Sequence, residues 1–418
     1  MYKILLVTII IILFPVIGMS QSTKVLFIGN SYTGVNNLPQ LTYDMALSTG
    51  DTLIIDNHTP GGQRLLDHAA NPQAIAKIFS NDWNYVVLQA QSQEPSWPIQ
   101  QVQNEVFKPA KLLCDTIRAN NSCSMPVFYM TWGRKNGDAF NCPNWPPVCT
   151  YDGMDSLLNE RYQTMGEDND AFVSPVGAVW HYIRDNYPGI ELYSADESHP
   201  SFEGSYAAAC TFYTIFLRKD PTLISFFGPI DPVMAEDIQA SVKAVVFDSL
   251  INWNVGEFDP VADFDADSVT NVSGVNFTNQ SINADSFYWD FGDGDTSSAE
   301  NPLHYFLPGN YTITLIASKC GVTDTVTKTI NVIIGSVNEF KQGLGIDVYP
   351  NPTIGLVNVV SVEGVRIQRI LIFDAYGKEV LNISGNDRLD LSELSNALYW
   401  VKVETLDSGY SLHPIIKK

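Results

Sequence analysis

The sequence predicts an α/β domain built on a parallel sheet, followed by two small all-β domains. Three observations carry this. From Lys24 to about residue 220, short apolar runs alternate with stretches of helical periodicity. Around Trp253 the composition changes, and residues 257–267 are acidic and loop-like. From Val275 the chain turns to short strands of alternating side chains, separated by Gly, Asn and Asp turns. The expected division is a signal peptide at 1–20, a first domain at 21–254, a β-sandwich at 262–335 and a last β domain at 346–418.

At 418 residues and 45% hydrophobic content, the chain can build two or three cores. A formal net charge of -22 argues against nucleic acid or an anionic membrane as the main partner. Lys3, the apolar run Ile4–Ile17 and the small residues Gly18-Met19-Ser20 read as a secretory signal peptide cleaved after Ser20. No later segment is long and apolar enough to span a membrane, so no span is expected once the signal is removed.

Six cysteines fit an exported chain. Cys142 and Cys149 flank a rigid Pro143–Val148 loop and read as a disulfide; Cys114 and Cys123, around the end of a helix, are a further candidate pair. Cys210 is expected to be buried and free. Cysteine spacing does not fit a structural zinc site, and His58, His68 and His181 are too scattered for ligands. No metal or cofactor is expected.

The first strand is Val25–Ile28, ended abruptly by Gly29-Asn30-Ser31. A serine at the carboxyl end of a first buried strand stands where open α/β sheets place ligands. The next residues, Leu38–Ser48, read as a helix. Ser31 on such a strand-to-helix turn suits a nucleophile, or equally a plain helix cap. Strands follow at Thr52–Ile55, Tyr85–Leu88, Pro126–Met130 and Ala171–Val173. Helices are expected at Gln73–Phe79, Gln101–Asn120, Met154–Met165, Val176–Asn186 and about Phe202–Leu217. This alternation favours right-handed crossovers and a parallel sheet.

Before the last of these helices the chain reads Asp196-Glu197-Ser198-His199-Pro200. A nucleophilic serine needs a base, and the base needs an acid to orient it; Asp196 and His199 supply both from one loop. Trp97 and Trp132 follow strand ends, where flat aromatic faces suit sugar rings, although core packing explains them as well. Arg134, beyond the fourth strand, suits an anionic substrate group or a surface ion pair.

GNSYT at Gly29–Thr33 together with DESHPS at Asp196–Ser201 resembles the SGNH/GDSL hydrolase superfamily over roughly residues 24–220. The resemblance implies a three-layer α/β/α fold and ester hydrolysis, with Ser31 as nucleophile and Asp196 and His199 completing the triad. It also implies an oxyanion hole of a serine amide, a glycine and an asparagine. Ser31 and Gly62 fit the first two. The asparagine block is absent, and Gln89, after the strand Tyr85–Leu88, stands in as candidate donor.

Trp289-Asp-Phe-Gly-Asp-Gly294, His304-Tyr305 and Gly309-Asn-Tyr311 resemble a polycystic kidney disease (PKD) domain. Its Asp290, Asp293 and Asp295 are expected to serve a tight turn. Gly335–Gly345 reads as a linker. Tyr349-Pro-Asn-Pro-Thr353, Tyr376-Gly377 and Leu394–Val401 resemble the C-terminal sorting domain of type IX secretion, which implies the type IX export machinery as partner and a secreted or cell-surface location. Two function classes remain: a secreted serine esterase, with an acylated polysaccharide as candidate substrate, and an inactive surface glycan-binding or adhesion protein. Hydrolysis of a chromogenic acetate separates them.

Overall fold

The computed structural model describes residues 22–267, 274–332, 345–361, 365–385, 388–406 and 409–418. The expected signal peptide and nearly all of the expected linker lie outside these residues. The chain divides into two compact units, Met1–Asp259 and Pro260–Lys418.

The first unit holds a five-stranded parallel sheet of β1 (Thr23–Ile28), β2 (Leu53–His58), β3 (Tyr85–Leu88), β4 (Met125–Tyr129) and β5 (Phe172–Ser174), in the order β2-β1-β3-β4-β5. Val25 to Ile28, Val86 to Leu88 and Val127 to Tyr129 are fully buried. Unbroken burial along a strand means that both sheet faces are covered, which is why these segments read as apolar runs. β2 extends past the expected Ile55 through Asp56, Asn57 and His58. As an edge strand it keeps these polar side chains partly in solvent.

Around the sheet lie α1 (Leu38–Ser48), α2 (Lys108–Asn120), α3 (Tyr151–Asp168), α4 (Val176–Asn186), α5 (Phe202–Leu217) and α6 (Pro232–Val245). Helix α5 packs on α1, α4 and α6, while α2 packs on the short helices Leu65–Ala70 and Pro72–Ile78. The ring of Phe27 in β1 meets Phe212 of α5 edge-on at 5.2 Å, locking sheet to helix. The expected single helix Gln101–Asn120 is interrupted: a π-helical turn at Gln103–Phe107 precedes α2, whose second residue is Pro109. Proline cannot donate the intrahelical bond and crowds the preceding turn, so the hydrogen bonding shifts there. Helix α6 and its Asp231 cap had no counterpart in the sequence reading.

The second unit is all-β. The described residues between 264 and 332 form two antiparallel sheets of three and four strands around Phe264, Phe277, Trp289, Phe291 and Leu315. In its hairpin turn, Asp290 Oδ1 accepts from Gly292 N and Asp293 Oδ1 from Asp295 N. The His304 ring stacks on Phe291 at 4.0 Å and its Nε2 lies 2.8 Å from Asp293 Oδ2. The described residues between 346 and 416 form a second pair of antiparallel sheets around Val357, Ile370, Tyr399 and Val401.

The strand order reverses at β1, since β2 lies on one side of it and β3 on the other. The chain leaves β1 and β3 in opposite directions, the switch point at which open α/β sheets place their ligand sites. Behind it sits His68, fully buried on the helix Leu65–Ala70, with Nε2 3.0 Å from the Gly29 carbonyl. A carbonyl accepts, so Nε2 carries the proton. Nδ1 is buried without a partner. Burial, and secondarily the neighbouring His58, pushes His68 down to about 4. The unfolded chain takes up this proton near pH 6.5, whereas the folded chain resists it until about pH 4. Stability therefore falls as pH drops through this window, by about 3 kcal/mol from this residue. Urea denaturation between pH 6.5 and 4 should show a shallower loss for His68→Gln, which keeps a donor for Gly29, than for the wild type; equal slopes would contradict this.

Candidate active site

Ser31 follows directly from the way β1 ends. Gly29 N donates to the His58 carbonyl, Asn30 is extended, and Ser31 opens a short helical turn to Gly34. A Cβ on Gly29 would lie 2.5 Å from Thr33 Oγ1 and 2.7 Å from Gln89 Oε1, so only glycine fits. Asn30, 3% exposed, caps the turn by accepting from Tyr32 N at 3.1 Å.

The partner loop is Tyr193–Ser201, closed by a bridge between Tyr193 and Pro200 and by Ser194 N donating to the His199 carbonyl at 2.8 Å. Within it, Asp196 Oδ1 accepts from the backbone N–H of Ser198 and His199, at 3.1 and 2.9 Å. Its Oδ2 lies 2.5 Å from His199 Nδ1, and His199 Nε2 lies 2.9 Å from Ser31 Oγ. Desolvation pushes the Asp196 carboxyl up, but the His199 ring and the two backbone donors outweigh it and hold the group below its ordinary value. Asp196 thus stays ionised, fixes the proton on Nδ1 and leaves Nε2 to accept from the serine. Glu197 takes a positive φ of 61° in this loop.

An aromatic stack supports the arrangement. Tyr32 stands edge-on to the His199 ring at 5.2 Å and stacks on Trp132 at 4.9 Å; Trp132 in turn stacks on Trp180 of α4 at 3.6 Å. Trp132 Nε1 donates to the Ser198 carbonyl at 3.1 Å, and the Tyr32 hydroxyl lies 2.6 Å from Ser198 Oγ. Trp132 was expected to contact substrate. It is fully buried between two rings with its N–H already paired, so it holds the histidine loop instead. Trp97, also expected to contact substrate, is partly buried; it packs on the core, with the Arg64 guanidinium 5.9 Å from its ring. Arg134 is 30% exposed, with Asp138 at 3.7 Å.

The expected oxyanion role of Gln89 does not fit. Gln89 is fully buried; its Oε1 accepts from Asn30 N and Thr33 Oγ1, at 3.0 and 2.8 Å. Its Nε2 donates to Asn30 Oδ1 and the Ala90 carbonyl, at 2.8 and 2.9 Å. An amide has two N–H bonds, and both are used. Gln89 clasps the serine turn from behind. Ser31 N and Gly62 N remain as backbone candidates; Gly62 is exposed with a φ of 72°. Asn30 Nδ2 donates to the Gln63 carbonyl at 3.0 Å, which ties the glycine loop to the serine turn.

The sequence reading missed this amide clasp, and it missed Arg64. Just past the glycine loop, Arg64 pairs with Glu94 and Glu105. Glu94 is 1% exposed, and burial pushes its carboxyl up to about 7 against the pull of Arg64. A disulfide joins Cys142 to Cys149. Cys114 is a buried free thiol, so the expected pairing with Cys123 is not made; burial in the helix also raises its pKa to about 12. Among the described residues, the group with donor atoms placed for a cation is Asp293, Asp295 and His304 in the second unit.

Residues 257–334 match the model of the PKD domain, and residues 347–418 match that of the secretion system C-terminal sorting domain. No curated protein matches. Among solved structures, the chain is similar to a DUF4886 family protein from Bacteroides uniformis, at 18% identity over 55% of this chain and 95% of that one, with a TM-score of 0.48. It is also similar to a candidate SGNH hydrolase from Slackia heliotrinireducens, at 26% identity over 46% of this chain and 98% of that one, with a TM-score of 0.39. The PKD1 domain of Vibrio anguillarum Epp shares 32% identity over 18% of this chain and 95% of that one, with a TM-score of 0.17. The chain thus carries a PKD domain and a sorting domain that marks it for export, after an α/β unit whose structural neighbours include SGNH/GDSL hydrolases.

Proposed function

We propose that the chain is an exported serine hydrolase that cleaves ester bonds through an acyl-serine intermediate. One observation supports this above the rest: Ser31 Oγ, His199 and Asp196 form a continuous hydrogen-bonded relay, with 2.9 Å at the serine and 2.5 Å at the acid. A helix-capping serine does not need a histidine that is itself oriented by a carboxylate.

His199 Nε2 takes the Ser31 proton as Oγ attacks the ester carbonyl carbon. The resulting imidazolium is stabilised by ionised Asp196. The tetrahedral oxyanion accepts from Ser31 N and Gly62 N. Collapse expels the alcohol, which leaves with the proton from His199. Water, deprotonated by His199, then attacks the acyl-serine, and the carboxylic acid departs with Oγ reprotonated. The His199 and Asp196 side chains are 35% and 51% exposed, so the reacting serine stands in an open site that a polymeric substrate can reach. An acylated polysaccharide is therefore the substrate class we favour for an exported enzyme of this form.

The test is hydrolysis of 4-nitrophenyl acetate by the mature chain. Ser31→Ala should abolish turnover above the uncatalysed rate. Asp196→Asn should lower kcat by on the order of a thousandfold or more with little change in KM, because it allows the wrong imidazole tautomer. Undiminished turnover in Ser31→Ala would rule out this nucleophile.

A further inference from the structure

The loop after Trp132 runs beside the loop that carries His199. Trp132 Nε1 donates to the Ser198 carbonyl, the Tyr193 hydroxyl donates to the Gly133 carbonyl at 2.7 Å, and Lys135 N donates to the Glu197 carbonyl at 3.0 Å. Arg134 sits in the middle of this run. On its other side, Asp138 is linked to the loop after β3 by Gln93 Nε2 at 2.7 Å. Arg134 therefore lies between the histidine loop and the loop after β3, at the same sheet end as Ser31.

Its charge is poorly matched from within. Asp138 is its one ion-pair partner among the described residues, at 3.7 Å, beyond hydrogen-bond distance. The Asp138 carboxylate is already occupied. Oδ1 accepts from Phe140 N and Asn141 N, at 3.2 and 3.4 Å; Oδ2 accepts from Gln93 Nε2 and Asn141 Nδ2, at 2.7 and 2.6 Å. Arg134 Nε is buried and has no hydrogen-bond partner. The guanidinium stands near enough to Tyr32 that its charge is among the influences opposing the rise that burial imposes on that phenol. A fork of cationic donors whose nearest carboxylate is beyond hydrogen-bond distance, in a chain of net charge -22, is suited to receive an anion.

We infer that Arg134 receives a carboxylate carried by the ester substrate, which makes the enzyme selective for esters of acidic compounds such as acylated uronic-acid sugars. This rests on the esterase reading above. A planar guanidinium binds a carboxylate through two parallel N–H···O bonds, and a charge-assisted pair of this kind discriminates by about tenfold or more. Because the cleft is open, salt weakens the preference.

Two matched pairs of esters test the inference, one for each side of the scissile bond: 4-acetoxybenzoate against 4-acetoxybenzamide, and mono-4-nitrophenyl succinate against 4-nitrophenyl butyrate. The wild type should show at least a tenfold higher kcat/KM for the anion in at least one pair, carried mainly by KM. The ratio should collapse towards one in Arg134→Gln, recover in part in Arg134→Lys and decline as salt is raised. No preference in either pair, or a preference that survives in Arg134→Gln, overturns the inference. If the neutral esters are turned over in a Ser31-dependent way while this happens, the esterase reading stands and only the role of Arg134 falls. If no ester is turned over, both fall together.

Discussion

The site depends on one buried contact between two amides. Gln89, at the end of β3, and Asn30, at the end of β1, exchange hydrogen bonds in a fully enclosed space. These strands are neighbours in the sheet, and the chain diverges beyond them. A polar pair there has no water to fall back on, so each amide group must be satisfied by the other or by adjacent backbone. Gln89 meets this requirement fully, and Asn30 passes the constraint on by capping the serine turn and holding the glycine loop through Gln63. The position of Ser31 is thus set by a network of buried amide hydrogen bonds, with His68 bracing the Gly29 carbonyl.

The histidine arrives from a different part of the chain and is held by different physics. Its loop binds itself through Asp196 and Ser194, and it is docked by the Tyr32–Trp132–Trp180 stack. Tyr32 directly follows Ser31, so the same stack couples the position of Ser31 to that of His199. The outer end of the relay stays half-exposed, while its supports are buried.

Much of this architecture is legible in the amino-acid order. The buried strands announce themselves because a sheet covered on both faces demands unbroken apolar runs, as at Val25–Ile28. Ser31, Asp196 and His199 stand out by local pattern. What the order of residues does not carry is side-chain direction. Gln89 and Trp132 were placed at the correct strand ends but given outward roles, whereas one turns its amide back to Asn30 and the other lies between two rings. The Arg64 pairs with Glu94 and Glu105 join residues 30 and 41 positions apart, with no periodicity to betray them. The π-helical turn before Pro109 was masked by apolar spacing that looks helical throughout.

The sorting domain marks the chain for export, and the proposed chemistry rests on the first unit. The account stands on an activated Ser31. The most direct measurement is to incubate the folded mature chain with a fluorophosphonate and map the labelled peptide. The account predicts a single adduct on Ser31 that is lost in His199→Ala, since the serine is reactive only with its base in place. A folded chain that takes up no label, or labelling of Ser31 that persists without His199, would contradict it.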